Sequence, residues 1–358
     1  MKTITITKIV KKVIFTAVLL VGFTGFSQEE EEPAQKFSLS GSVDAYYRAN
    51  INSANKTIPD GSGGEIFIAP PTSFANANGF ALGMANVIAS YEGEKVGFVA
   101  DLVFGPRGEE AVFGSPVGST NIVNQLYVYW KVSEVVTLTF GNFNTYLGYE
   151  VISPTGNFNY STSYMFSNGP FSHAGLKADF AIDDNWSAML SVMNPTDLTA
   201  DNPESLYTYG AQLGYSTDAS SAYLNFLYGK QELGAENTFQ VDLTAGSDIT
   251  DDFYLGFNGT YADTDGDGFY GLALYPQYKT SEAFAIGLRG EYFTVFADGA
   301  DDDSVFAATL TGSYAVGSLT FKPELRIDSF ENEIIPNADL DDVQKSLASF
   351  TLAAIYSF

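Results

Sequence analysis

Cysteine is absent from this 358-residue chain. Disulfide stapling, a lipidated cysteine anchor and thiol catalysis are excluded with it. Histidine is almost absent, since His173 stands alone. A zinc centre of His and Cys therefore has no ligands to draw on, and a Ser/His hydrolase would have to use that one ring. No serine has a spacing that ties it to His173. The protein is accordingly expected not to be an enzyme and to hold no cofactor, with His173 hydrogen-bonded in the base of a loop. Long apolar runs are also lacking. Val13–Phe23 is the only candidate, and it falls short of the roughly 20 residues that cross a bilayer as a helix. Basic residues are scarce: 17 Lys and Arg stand against 43 Asp and Glu. Nucleic acid and anionic surfaces are poor partners for such a chain.

The N-terminal stretch reads MKTITITKIVKKVIFTAVLLVGFTGFSQ. Lys2, Lys8, Lys11 and Lys12 precede the apolar run, and the small residues Gly25 and Ser27 precede Gln28. This is the pattern of a secretory signal peptide over 1–27, the alternative being a membrane anchor. Residues 28–35, with their EEEE run, read as an acidic periplasmic leader, and 36–358 as the folded part. Loss of the four signal-peptide lysines leaves 13 basic against 43 acidic residues, a balance of −30. Such charge usually means disorder. Here 22 Tyr and 29 Phe rule that out, so charge and aromatic surface must be separated in space.

Alternate residues separate them. In SLTFKPELRID, Leu319, Phe321, Pro323, Leu325 and Ile327 share one face, and Thr320, Lys322, Glu324, Arg326 and Asp328 share the other. Period two marks a β-strand with one oily and one polar side. The pattern returns in NTFQVDLTAG (237–246) and DDFYLGFNGTYA (251–262), and about sixteen such segments are expected between 36 and 358, within a range of 14–18. The connections alternate. Tight turns such as EGEK (92–95), TDAS (217–220) and AVGS (315–318) are interleaved with long stretches at 52–78, 105–120, 144–170 and 330–342. Short turns at one rim and long loops at the other define an all-β, transmembrane, antiparallel up-and-down β-barrel. A Greek-key sandwich would not keep that asymmetry in step. Strands of about ten residues, tilted, cover roughly 25 Å of hydrocarbon. The expected place is the bacterial outer membrane, with both termini in the periplasm and lipid and lipopolysaccharide against the oily face. The final FTLAAIYSF sets Phe350, Leu352, Tyr356 and Phe358 on that face, with Ile355 inward among small and polar residues. This ending is similar to the C-terminal assembly signal of outer-membrane proteins, which implies the barrel-assembly machinery as a partner.

Two regions carry a family resemblance. One is SGSVDAYYRANIN (40–52). The other is 141–197, with its GNF…LGYE run, the NYSTSY segment and the HAGLK strand. Together they resemble the β-barrel porin-2, or OmpL-like, family of the Bacteroidetes. The resemblance implies a channel-type barrel and says little about the solute.

The candidate functional residues follow from the barrel. General porins fold their third long loop inward, and the third long loop here, 144–170, carries Tyr146, Tyr149, Glu150, Asn157, Asn159, Tyr160, Tyr164 and Phe166. It is expected either to narrow the pore, with its aromatics packed against the wall, Glu150 and the amides lining an eyelet and Tyr160 among the constriction candidates, or to lie across the outer mouth. On inward faces, Asp44 with Arg48, Lys177 with Asp179, Arg289 with Glu291, and Lys322, Glu324, Arg326 and Asp328 are spaced to neutralise one another. They would brace the wall or set a transverse field for polar solutes, with Arg289, Lys322 and Arg326 as an anion-attracting patch. Asp263, Asp265 and Asp267 begin like a calcium loop, but position twelve is Leu274 where a Glu is needed. An acidic hairpin tip is the better reading, and no metal is expected. The function so read is passive diffusion of small hydrophilic solutes, weakly cation-preferring because the mouth is acidic, in a barrel that is a candidate homo-oligomer. The alternative is a plugged structural or adhesive barrel whose loops bind a partner.

Overall fold

The computed structural model describes residues 36–113 and 121–358. The expected signal peptide (1–27), the acidic leader (28–35) and part of the second long loop lie outside the described residues. Sixteen strands close into one antiparallel barrel. They are β1 (Lys36–Asn50), β2 (Gly79–Glu92), β3 (Val96–Phe104), β4 (Val123–Lys131), β5 (Val136–Asn144), β6 (Ser172–Ala181), β7 (Trp186–Met193) and β8 (Thr208–Ser216). They continue as β9 (Ser220–Lys230), β10 (Asn237–Asp248), β11 (Phe253–Thr264), β12 (Asp267–Lys279), β13 (Phe284–Phe296), β14 (Asp303–Val316), β15 (Leu319–Phe330) and β16 (Ser346–Ser357). Each pairs with its neighbours in sequence, and β1 closes on β16 from Ser42↔Ser357 to Asn50↔Ser349.

The seam is tight. Gly41 and Phe358 exchange both backbone hydrogen bonds at 3.0 Å. A Cβ on Gly41 would sit 2.1 Å from the Asn86 carbonyl oxygen and 2.8 Å from the Phe358 ring, so only glycine lets the three strands meet there. The period-two faces fall as the sequence predicts. Phe80, Phe140, Leu190, Leu325 and Ile327 point out and are exposed, while Asn225, Arg289, Glu291, Thr309 and Asp328 point in and are buried. An apolar belt turned outward all round the barrel is a surface for hydrocarbon, because water would not tolerate a patch of that extent. Leu352 and Tyr356 of β16, and Phe358 just after it, lie on this outer face, and Ile355 is inward, packed with Tyr46, Ala75, Tyr160 and Ala353.

One rim has only tight turns of two to four residues, and the other carries the long loops. The long loops hold structure that periodicity does not reveal. Short hairpins pair Thr57–Pro59 with Glu65–Phe67, and Ile335–Pro336 with Val343–Gln344. Helix α1 (Pro106–Ala111) sits in the second loop and α2 (Tyr164–Asn168) in the third. Both are too short to impose a 3.6-residue pattern. The acidic tip at 263–267 is a two-residue turn with Asp265 at φ +56° and Gly266 at φ +92°, the Asp-Gly pair that a type I′ hairpin requires. Among the described residues, no group of three His, Cys, Asp or Glu side chains is placed to hold a metal.

Candidate functional site

The third loop, 145–171, folds into the barrel. Irregular backbone inside a barrel must find hydrogen-bond partners for its N–H and C=O groups. The inward side chains of β13 and β15 supply them in order. Lys322 donates to the carbonyls of Pro154 (3.0 Å) and Asn157. Glu324 accepts from the amides of Tyr160 (2.9 Å) and Ser161 (3.3 Å), and from the Thr311 hydroxyl on β14 (2.9 Å). Arg326 donates to the Thr162 carbonyl at 2.9 Å, and Asp328 accepts from the Tyr164 hydroxyl at 2.9 Å. On β13, Arg289 reaches Glu150 (2.6 Å) and the carbonyls of Ser161 (2.7 Å) and Thr162 (3.2 Å). Glu291 accepts from the amides of Tyr164 (3.0 Å) and Met165 (2.9 Å), which open α2, and Ser163 caps that helix by accepting from the Phe166 amide. The period-two spacing of β15 thus becomes a ladder whose rungs are four charged side chains and whose other rail is the loop.

This geometry corrects most of the expected pairings. Lys177 with Asp179 (3.2 Å) and Arg326 with Asp328 (2.8 Å) do form. Asp44 does not pair with Arg48. A β-bulge at this point leaves the Met84 amide outside the ladder, and Asp44 accepts from it at 3.0 Å and from the Tyr160 hydroxyl at 2.5 Å. Arg48 instead holds the first loop through Asn78 (2.5 Å) and Asn50 (2.9 Å). Arg289 pairs with Glu150 and not with Glu291, and Lys322 and Glu324 spend their polar atoms on loop backbone. Where these pairs fail, other groups stand nearer than the same-strand partner, which lies nearly 7 Å away at a spacing of two and about twice that between Asp44 and Arg48. Arg289, Lys322 and Arg326 therefore do not form an open anion-attracting patch. They are 0%, 5% and 3% exposed beneath the loop. Glu150 is buried against the wall as well, not bared at an eyelet, and Tyr160 is packed on the wall as an aromatic of this loop is expected to be.

Aromatic packing completes the seat. Tyr149 stacks on Tyr275 at 4.1 Å, Tyr164 on Phe293 at 5.7 Å, and Tyr160 lies 5.6 Å from Tyr46. At the base of the loop, His173 Nε2 is 2.9 Å from the Thr145 hydroxyl, with its ring between Phe143 and Tyr146, the placement expected for it. The far end is held by Asp197 in the loop after β7, which accepts from the amides of Phe171 (2.9 Å) and Ser172 (2.8 Å). Burial pushes that carboxyl up to about 6.

Three anchors escape a reading of the sequence. Asp101 on β3 collects amides from Asn86, Asn124 (2.7 Å) and Gln125 (3.2 Å). Asp242 on β10 takes Asn225 (2.9 Å), Asn258 (2.6 Å) and the Gly148 amide (2.9 Å). Arg107 on α1 touches the third loop. Asp101 had a signal, a single acid on the inward phase of the apolar VGFVADLVF; Arg107, in GPRGEE, had none beyond the proline that starts a short helix.

The opposite wall differs. Nothing from the third loop covers Lys177 and Asp179 on β6, whose side chains are 25% and 41% exposed to the lumen. Tyr127 and Tyr129 on β4 and Gln212 on β8 are likewise only partly buried. The loop is thus fastened to one half of the wall and leaves inward side chains of the other half partly exposed.

Solved structures share this architecture. An anion-selective porin from Comamonas acidovorans superposes with a TM-score of 0.59 at 12% identity, over 91% of this chain and 100% of that one. OmpT of Vibrio cholerae, folded in vitro in its trimer form, gives 0.58 at 12% identity over 91% and 100%. At that identity the likeness speaks for the fold. No curated protein sequence matches the chain. A model of the family described as "Putative beta-barrel porin-2, OmpL-like" matches residues 36–358, the whole of the barrel. The chain belongs to that OmpL-like β-barrel porin-2 family, and its barrel is an outer-membrane porin barrel.

Proposed function

We propose that the protein is a non-enzymatic diffusion porin for small hydrophilic solutes, with a weak preference for cations. The observation that carries this reading is the contrast in the lumen: charged groups under the third loop are buried, while Lys177 and Asp179 across from them are in contact with water. A loop pinned to one wall narrows a barrel without closing it. Sixteen strands leave room for such a channel. The cation preference rests on the acidic outer loops, which carry Asp201, Glu204, Glu232, Glu236, Asp298 and Asp301 near the mouth and concentrate counter-ions there. Outer-membrane lipid and lipopolysaccharide would cover the apolar belt. Residues 1–27 would direct export, and Phe350, Leu352, Tyr356 and Phe358 would engage the assembly machinery. Association of several copies is supported by the trimer form of a structural neighbour. The second reading, a plugged barrel that binds partners through its loops, is favoured by one observation: three loops enter the lumen and bury residues such as Phe74, Arg107 and Tyr160.

Liposome swelling separates the two. Vesicles carrying the refolded barrel should swell in isotonic sugars at rates that fall steadily with solute size. Folded barrel that gives no swelling with even the smallest sugar would overturn the porin reading in favour of the plugged one.

A further inference from the structure

The third loop is held from a second side, by the second loop. β3 ends at Phe104, Gly105 turns the chain at φ +90°, and Pro106 starts α1. A Cβ on Gly105 would lie 2.9 Å from the Gly83 carbonyl oxygen, so the turn is packed against β2 and α1 is directed inward. Arg107, the second residue of the helix, is 3% exposed. Its Nε donates to the Ile152 carbonyl at 2.9 Å and one terminal nitrogen to the Tyr160 carbonyl at 3.3 Å. These two residues stand at the two ends of the tip of the third loop. One guanidinium therefore closes the neck of the tip like a staple. The Phe74 ring of the first loop lies 4.4 Å from the guanidinium, and Glu110 of α1 holds Phe74 in place by accepting from its amide at 2.7 Å.

We infer that Arg107 is the positioning residue that fixes the tip of the constriction loop, so that the second outer loop sets where the constriction stands. This rests on the porin reading for its meaning but not for its test. The wall engages the tip through Lys322, at Pro154 and Asn157, and through the Thr311 hydroxyl on β14, which accepts from the Asn159 amide at 2.7 Å. The stretch 160–165 has its own rungs. Loss of Arg107 should therefore loosen the first half of the tip, around 152–156, while Asn159, Tyr160 and α2 stay seated. A planar fork with separated donors is needed to bridge two carbonyls, and an ammonium at the end of a flexible stem does not reproduce it. Arg107→Lys should then fail almost as fully as Arg107→Ala.

Thr155 is exposed at the tip, and the chain has no cysteine. Thr155→Cys thus gives one site for a nitroxide label on the full barrel in lipid vesicles. With Arg107 present the label should report a restrained backbone. Arg107→Ala and Arg107→Lys should shift its spectrum toward the mobile component and increase open-channel current noise, with the heat-modifiable gel mobility of the folded barrel unchanged. Phe74→Leu, which removes the ring face but not the hydrogen bonds, should shift it less. If Arg107→Ala fails to fold, the Lys and Leu variants carry the test. An unchanged spectrum in every variant that folds would overturn the inference. A shifted spectrum in a barrel that passes no current would keep the staple and defeat the porin reading instead.

Discussion

The two halves of the lumen wall are built from the same alternation and do opposite things with it. On β13 and β15 every inward charge is buried and engaged: Arg289, Glu291, Lys322, Glu324, Arg326 and Asp328 are at most 5% exposed. On β6 the inward charges Lys177 and Asp179 pair with each other, with Lys177 also over the Phe143 ring, and stay partly exposed. The difference is the loop that the first half holds and the second lacks. A charge that faces water keeps its hydration and contributes little to stability. A charge taken out of water must be matched by ligands, and this wall supplies them from loop backbone, neighbouring hydroxyls and the two ion pairs Arg289–Glu150 and Arg326–Asp328.

That contrast orders the expected effects of substitution. The largest belongs to Arg289→Ala. It strands Glu150 at a site where both partners are buried and removes support from the Ser161 and Thr162 carbonyls. Breaking such a pair costs about 3–5 kcal/mol, which urea unfolding of the barrel in lipid vesicles should read as a lowered midpoint. Glu291→Gln comes next. It keeps the shape but loses the charge that receives the two amides opening α2, a loss of about 1.5–3 kcal/mol for hydrogen bonds to a charged group, seen in the same assay. Tyr160→Phe removes the hydroxyl that Asp44 accepts at 2.5 Å. It should cost about 1–3 kcal/mol, the range for leaving a buried acceptor unpaired, and widen the distribution of single-channel conductance. Lys177→Gln and Asp179→Asn should change stability by less than about 1 kcal/mol, as for exposed pairs. They should instead move the reversal potential in a salt gradient, toward cations for the first and toward anions for the second. A large stability loss in either β6 variant, or none in Arg289→Ala, would break the comparison.

Much of this architecture could be read from the sequence, because period two is a local signal. Strand positions fell within a few residues. The segment read at 237–246 lies in β10, which runs from Asn237 to Asp248, and the one read at 251–262 falls on β11, which begins at Phe253. The alternation also told which side chains face inward, Ile355 among them. It could not tell what stands across the lumen. Arg289 and Glu291 share a face, as their spacing requires, but the partner of Arg289 is Glu150, 139 residues away. Asp44 turned aside because a bulge offered it a free amide, and a bulge leaves no mark on hydrophobic alternation. Arg107 was hidden for a related reason: its partners are backbone carbonyls, and backbone has no letter in the sequence. Charge spacing along a strand identified the groups that do the binding, and the tertiary path of a loop decided what they bind.

The most direct test is single-channel recording of the refolded wild-type barrel in a planar bilayer under a salt gradient. A loop fastened to one wall predicts stable conductance steps, with a reversal potential displaced to the cation side by the acidic mouth. A barrel that is folded by its gel mobility yet carries no current at any voltage would contradict it, and would mean that the loops seated in the lumen close it.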